Sequence, residues 1–166
     1  MLKRSSTMMM AIAVLVMATT SAAVAARGGT DRPFEARLSG QASWEVAEVC
    51  EGLNDLNVQT QTEGVGVATH MGKVVTSWRH CPTDEGTYVH GQVTILAANG
   101  DQLIGYYSDD GEDSIVIEEF EGTGRFTDAS GRIEVFAEVT PQFDDDGPDF
   151  TVPWPWTATL TGSISY

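Results

Sequence analysis

Trp156-Thr157-Ala158-Thr159-Leu160-Thr161-Gly162-Ser163-Ile164-Ser165-Tyr166 closes the chain with apolar or small residues at every even position and threonine or serine at every odd one. Successive side chains of a β-strand point to opposite faces, so this run reads as one half-buried strand with its even set turned inward. Gly162 reads as a gap along that inner face, which a larger side chain would fill. Working back from the end, the same period of two recurs in short pieces. Phe34, Ala36, Leu38, Gly40 and Ala42 alternate with Glu35, Arg37, Ser39 and Gln41, and further alternating stretches cover 58–69, 73–80, 88–98, 102–108, 114–121 and 132–139. Gly, Asn and Asp separate them. Asn99-Gly100 predicts a type I′ hairpin turn, since both residues accept positive φ. The connection 122–131 holds too many glycines for a helix of any length.

The count is eight strands joined mostly by hairpin-type connections. It predicts an all-β fold, an eight-stranded antiparallel up-and-down β-barrel, because eight strands close around an interior just filled by side chains or one small ligand. Closure also removes edge strands that would otherwise recruit other chains. The same pattern also allows a two-sheet sandwich.

Residues 1–26 have three parts: Lys3 and Arg4, an apolar run over 8–18, and small residues ending in Ala23-Val24-Ala25-Ala26. That is the pattern of a secretory signal peptide, with an apolar run of about a dozen residues against the roughly 20 that span a bilayer as a helix. Cleavage is expected after Ala25 or Ala26, followed by a polar lead over 27–33 and a single barrel domain over 34–166. The expected address is secreted or periplasmic, with no stable membrane insertion after cleavage. The whole chain carries a net charge of −15, and loss of Lys3 and Arg4 leaves about −17. A nucleic-acid partner needs a basic footprint, which this charge balance opposes. Cys50 and Cys81 are the only cysteines, and an exported chain meets an oxidising compartment, so a disulfide between them is expected.

Three segments together carry a likeness: Gly66-Val67-Ala68-Thr69-His70-Met71-Gly72, Ala97-Ala98-Asn99-Gly100-Asp101-Gln102-Leu103, and Gly122-Thr123-Gly124-Arg125-Phe126 with Ala129-Ser130-Gly131. In this order and spacing the chain resembles the bacterial allene oxide cyclase barrel-like proteins, fold relatives of plant allene oxide cyclases and dirigent proteins. Glu121-Gly122 stands where that family tends to have two glycines, and Met71 where leucine is usual. The resemblance implies an eight-stranded barrel with a cavity. The matched residues belong to turns and hairpins, so no catalytic residue of the plant cyclases carries over, and fold likeness by itself assigns no activity.

Chemistry-bearing constellations are few. Gly122-Thr123-Gly124-Arg125-Phe126 lacks the lysine and following helix of a phosphate loop and reads as a tight turn with Phe126 plugging the barrel end. His70, His80 and His90 recur every ten residues, but His70 and His80 fall at opposite ends of one hairpin and cannot converge on a metal. The acidic runs 109–113 and 144–149 fit no EF-hand template and read as solvated loops. No nucleophile elbow is present. No metal or cofactor is expected. What remains is a barrel cavity for a small apolar molecule, with Trp78, Tyr106 and Tyr107 as candidate walls and His70 or Glu63 as the polar group. Two other readings stay open: a cyclase or isomerase that guides a reactive substrate by cavity shape, and a small outer-membrane β-barrel with its faces inverted.

Overall fold

The computed structural model describes residues 29–108 and 115–166. The signal-peptide stretch 1–26 and the acidic run 109–113 lie outside the described residues. Five strands follow one another as an antiparallel meander: β1 (Arg32–Val46), β2 (Val58–Ala68), β3 (Gly72–Pro82), β4 (Tyr88–Ala97) and β5 (Gln102–Tyr107). Then come β6 (Ile115–Ile117), β7 (Glu119–Gly122), β8 (Ser130–Val139), a small ribbon of β9 (Phe143–Asp144) and β10 (Gly147–Pro148), and β11 (Trp154–Ser165). Single 3-10 turns occupy Glu48–Cys50 and Gly124–Phe126.

The main sheet has nine strands in the order β6-β8-β11-β1-β2-β3-β4-β5-β7. Its two edge strands are halves of one stretch of chain, interrupted at Glu118, so the sheet meets itself there as a nearly closed barrel and not as two stacked sheets. Ile115–Ile117 pairs with β8, and Glu119–Gly122 pairs with β5. The stretch expected as one strand over 114–121 is therefore divided between two neighbours, which turns eight strands into nine. Exposed Glu118, at the seam, pairs with Arg132 of β8. Strand β1 opens at Arg32, two residues before the expected start at Phe34.

The terminal strand shows the alternation that defines the fold. Trp154, Trp156, Ala158, Leu160 and Ile164 are buried, whereas Thr157 and Thr159 are exposed. Phe34, Leu38, Ile95, Leu103, Phe126 and Ile133 meet Leu160 and Ile164 in the interior. Each fully buried side chain of this size contributes roughly 1.5–3 kcal/mol against leaving it in water.

Glycines set how tightly the strands coil. Gly40 of β1 and Gly64 of β2 are directly paired; a Cβ on Gly64 would come within 2.6 Å of the Trp156 ring, and one on Gly40 within 1.9 Å of the Glu63 carbonyl. Gly162 corrects its sequence reading. A Cβ there would meet the Arg132 carbonyl at 2.0 Å, so the glycine permits close approach of β8 and β11 and leaves no hole for a larger side chain to fill. The turn at 97–101 is likewise not type I′. Gly100 donates its N–H to Ala97 O and has φ 89°, while Asn99 does not have positive φ, as in a type I turn followed by a left-handed glycine.

Candidate functional site at the open end of the barrel

The two ends of the barrel are built differently. At one end the connections 69–71, 98–101 and 123–129 are short, and the three segments that carry the family resemblance meet there. Arg125 donates from Nε to Asp101 Oδ2 (2.8 Å) and from Nη1 to the His70 carbonyl (3.0 Å), and the Gln102 N–H donates to Thr123 Oγ1. Asp101 is held below the ordinary carboxylate range, chiefly by the hydrogen bond from Arg125 and then by that from Asn99. Phe126, fully buried, lies beneath and packs edge-on against Tyr166. These motifs seal the barrel.

The opposite end carries the long connections 47–57 and 140–153 and the shorter 83–87, and beneath them opens a cavity of about 470 Å³. All four tryptophans of the chain, Trp44, Trp78, Trp154 and Trp156, line it, with Phe150, Tyr88, Tyr107 and His80. No Asp, Glu, Lys or Arg lines it among the described residues. The rings touch in two groups. Trp44 sets its edge against both Phe150 and Trp154, which stack on one another at 4.8 Å. Across the chamber, contacts run from Trp156 to Trp78, Tyr107, His80 and Tyr88. Such edge-to-face and offset pairs fix ring planes as well as burying area. Backbone acceptors orient two of the indoles further: Trp154 Nε1–H donates to the Asp149 carbonyl (2.7 Å) and Trp156 Nε1–H to the Glu63 carbonyl (3.3 Å). Trp78 Nε1 has no hydrogen-bond partner among the described residues, nor has Thr76 Oγ1 two positions further in on the same strand face.

A β-bulge supplies one wall. The pairing of β3 with β4 shifts between Arg79 and Cys81, opposite His90 and Gly91, and His90 has φ 54°. The extra residue reverses the alternation, so Tyr88 joins the chamber wall on the same side as Gly91 and Val93. Gly91 makes room in turn: a Cβ there would come within 2.4 Å of the Tyr107 ring.

The polar heart of the chamber is His80 with Tyr107, whose hydroxyl lies 2.8 Å from His80 Nδ1. Burial lowers the imidazole pKa to about 4. It also pushes the phenol well above its ordinary range, with the neighbouring Tyr88 adding to the shift. Both groups are therefore neutral at pH 7. Whichever tautomer His80 takes, one of the pair's two hydrogens is used between them and the other is left to donate, from Nε2 or from the phenol.

A disulfide anchors the rim. Cys50 and Cys81 are bonded, with Cα atoms 5.4 Å apart and both side chains fully buried. Beside them Asn54 donates to the carbonyls of Val58 and Pro82 and accepts from the Val58 N–H. The connection 47–57 is thereby tied to the end of β3, next to His80.

Of the five residues expected around a cavity, the structure brings two together, Trp78 and Tyr107. Tyr106 follows the opposite face of β5, as adjacent strand residues must, and lies in a separate, more polar cleft at the wall seam. Glu63 is exposed on the outer face of β2, whose inward set is Thr60, Thr62, Gly64 and Ala68. His70 sits in the sealed end with φ 64°, its Nε2–H donating to the Pro33 carbonyl. The sequence reading missed His80, Tyr88, Trp44, Trp154, Trp156 and Phe150 as one group. The confinement of every tryptophan to one half of the barrel was its available signal. Comparison with protein-family profiles, curated proteins and solved structures finds no match.

Proposed function

We propose that this chain is an exported binding protein that holds a small molecule with an apolar, ring-sized body in the aromatic chamber. The observation that carries the reading is the convergence of all four tryptophans on a single cavity of about 470 Å³. A concave, mostly apolar site with a few placed polar groups is the usual form of a small-molecule pocket. Export is supported by the signal-like residues 1–26 and by the buried disulfide, which belongs to an oxidising compartment. The outer face carries Glu35, Arg37, Glu63, Lys73 and Arg79. Lysine or arginine at the midplane of a bilayer costs roughly 2–4 kcal/mol, which favours water over lipid around the barrel.

The state of the polar pair favours binding over turnover. A general acid or base works best with a pKa near the operating pH, whereas burial moves the pKa values of His80 and Tyr107 away from pH 7 in opposite directions and keeps both groups uncharged. The pair orients an occupant by hydrogen bonding. The likeness to the allene oxide cyclase barrel-like proteins is supported by residues that knit the sealed end, so it bears on the barrel and leaves the chamber's chemistry to this chain's own residues.

Native mass spectrometry of protein purified from its own source should show a retained small molecule. Titration with 2-naphthol should quench tryptophan fluorescence saturably. A protein that carries nothing and whose fluorescence 2-naphthol leaves unchanged would remove the reading.

A further inference from the structure

We propose that the chamber's ligand is an organic cation, a positive charge sheathed in carbon such as a quaternary ammonium group on an aryl or alkyl body. This rests on the small-molecule reading above and adds the charge of the occupant.

Among the described residues the chamber wall contains no charged side chain, so none of them holds an ionic ligand there by a salt bridge. Aromatic faces discriminate by sign nonetheless: the ring quadrupole places negative potential on the face and attracts cations, and indole does so best. Four indoles, two phenols and a phenyl ring line one cavity here. A quaternary ammonium suits such a wall because its charge is diffuse and it has no N–H to leave unpaired when water is stripped away. His80, the one basic group in the wall among the described residues, is neutral because it is buried, so it does not oppose a cation.

The rim agrees with the chamber. Connection 47–57 carries Glu48, Glu51 and Asp55; 83–87 carries Asp84 and Glu85; 140–153 carries Asp144, Asp145, Asp146 and Asp149; none of the three holds a lysine or arginine. All but half-buried Asp149 are exposed. At the sealed end, by contrast, Arg125 answers Asp101 and Arg32 lies over Tyr166. The described barrel is thus polarised along its axis, negative around the aromatic mouth. A single-signed rim raises the local concentration of counter-ions and speeds their encounter, while repelling anions. A neutral ligand would gain nothing from this arrangement.

Three probes of one shape separate the cases: phenyltrimethylammonium, its neutral isostere tert-butylbenzene, and the anion 4-tert-butylbenzoate, each titrated into the purified protein by tryptophan fluorescence and calorimetry. At about 20 mM salt, where screening is weak, the cation should bind at least about ten-fold more tightly than the isostere, a difference of about 1.4 kcal/mol, and the benzoate more weakly than either. Raising salt to about 0.5 M should reduce the cation's advantage several-fold and leave the isostere unchanged. Replacing rim acids, D84N with E85Q, should slow association of the cation and leave its dissociation rate and tert-butylbenzene affinity alone. Equal or tighter binding of tert-butylbenzene or the benzoate would overturn the cation proposal while leaving the chamber standing. If none of the three binds, the chamber reading itself falls.

Discussion

The sealed and open ends of this barrel are made from the same strands, yet they solve opposite problems. At the sealed end, connections of a few residues bring Phe126, Phe34, Leu103, Ile133 and Ile164 together with essentially no exposed surface, and Arg125 laces the turns across the top. At the open end, the inward positions of the same strands carry rings held apart around a cavity, and Ala137 and Val139 of β8 are exposed although they line it. The connections there are long, acidic and tied down by a disulfide and by Asn54. Function gathers on loops positioned by a packed scaffold, and here the fully buried cluster of Phe34, Phe126, Ile133 and Ile164 lies at the other end. Stability and binding should therefore be separable by mutation.

The strongest challenge falls on the shared wall between the ends. Leu160→Asp places an unpaired carboxylate at a fully buried site and should leave the protein unfolded by circular dichroism, whereas Thr159→Asp, on the outer face, should change stability by no more than about 0.5 kcal/mol. Equal tolerance at the two positions would break the half-buried strand from which the fold is argued. Next, Phe126→Ala should cost about 3–5 kcal/mol in denaturant unfolding while the folded fraction still binds 2-naphthol. Reducing Cys50–Cys81, which span 31 residues, should cost roughly 3.5 kcal/mol on the chain-entropy account and should weaken probe binding as well, because that bond anchors the chamber's rim.

Acid separates the ends by window. Unfolded His80 takes up a proton near pH 6.5 and the folded imidazole only near pH 4, so the unfolded state binds more protons in between. Stability should fall as pH drops from about 6.5 to about 4, by on the order of 3 kcal/mol, and His80→Gln should flatten that slope in thermal unfolding. Asp101 is shifted in the same direction but in a lower window: its depressed pKa stabilises the fold above its ordinary value, and that contribution is lost as pH falls further, below about 4. A small effect is expected from Arg125→Gln, which removes an exposed ion pair with Asp101: the melting temperature should fall slightly and probe binding in the chamber should be unchanged.

Much of this division was legible in the sequence, because period two survives translation into structure. The eight stretches of alternation became the barrel wall, and the terminal strand turned its even set inward. What alternation cannot convey is where it fails. The bulge at His90–Gly91 reverses the pattern and brings Tyr88 indoors, and the break at Glu118 hands one stretch of chain to two neighbours. Nor does it say what lies at the end of a strand: His70 and His80 sit in different surroundings because β2 and β3 run towards opposite ends, and only the topology reveals which end is open. Glu63 and Tyr106 were candidates on residue type alone, although each is next in sequence to an inward position and so must face out. The disulfide followed from compartment chemistry, without any knowledge of distance.

The claim that one end seals and the other binds is tested most directly by nuclear magnetic resonance of ¹⁵N-labelled protein titrated with 2-naphthol. The indole N–H signals of Trp44, Trp78, Trp154 and Trp156 should shift together and saturate at one equivalent, while the backbone amides of 69–71, 98–101 and 123–127 stay in place. Shifts centred on the sealed-end amides, or indole signals that do not move at all, would contradict it.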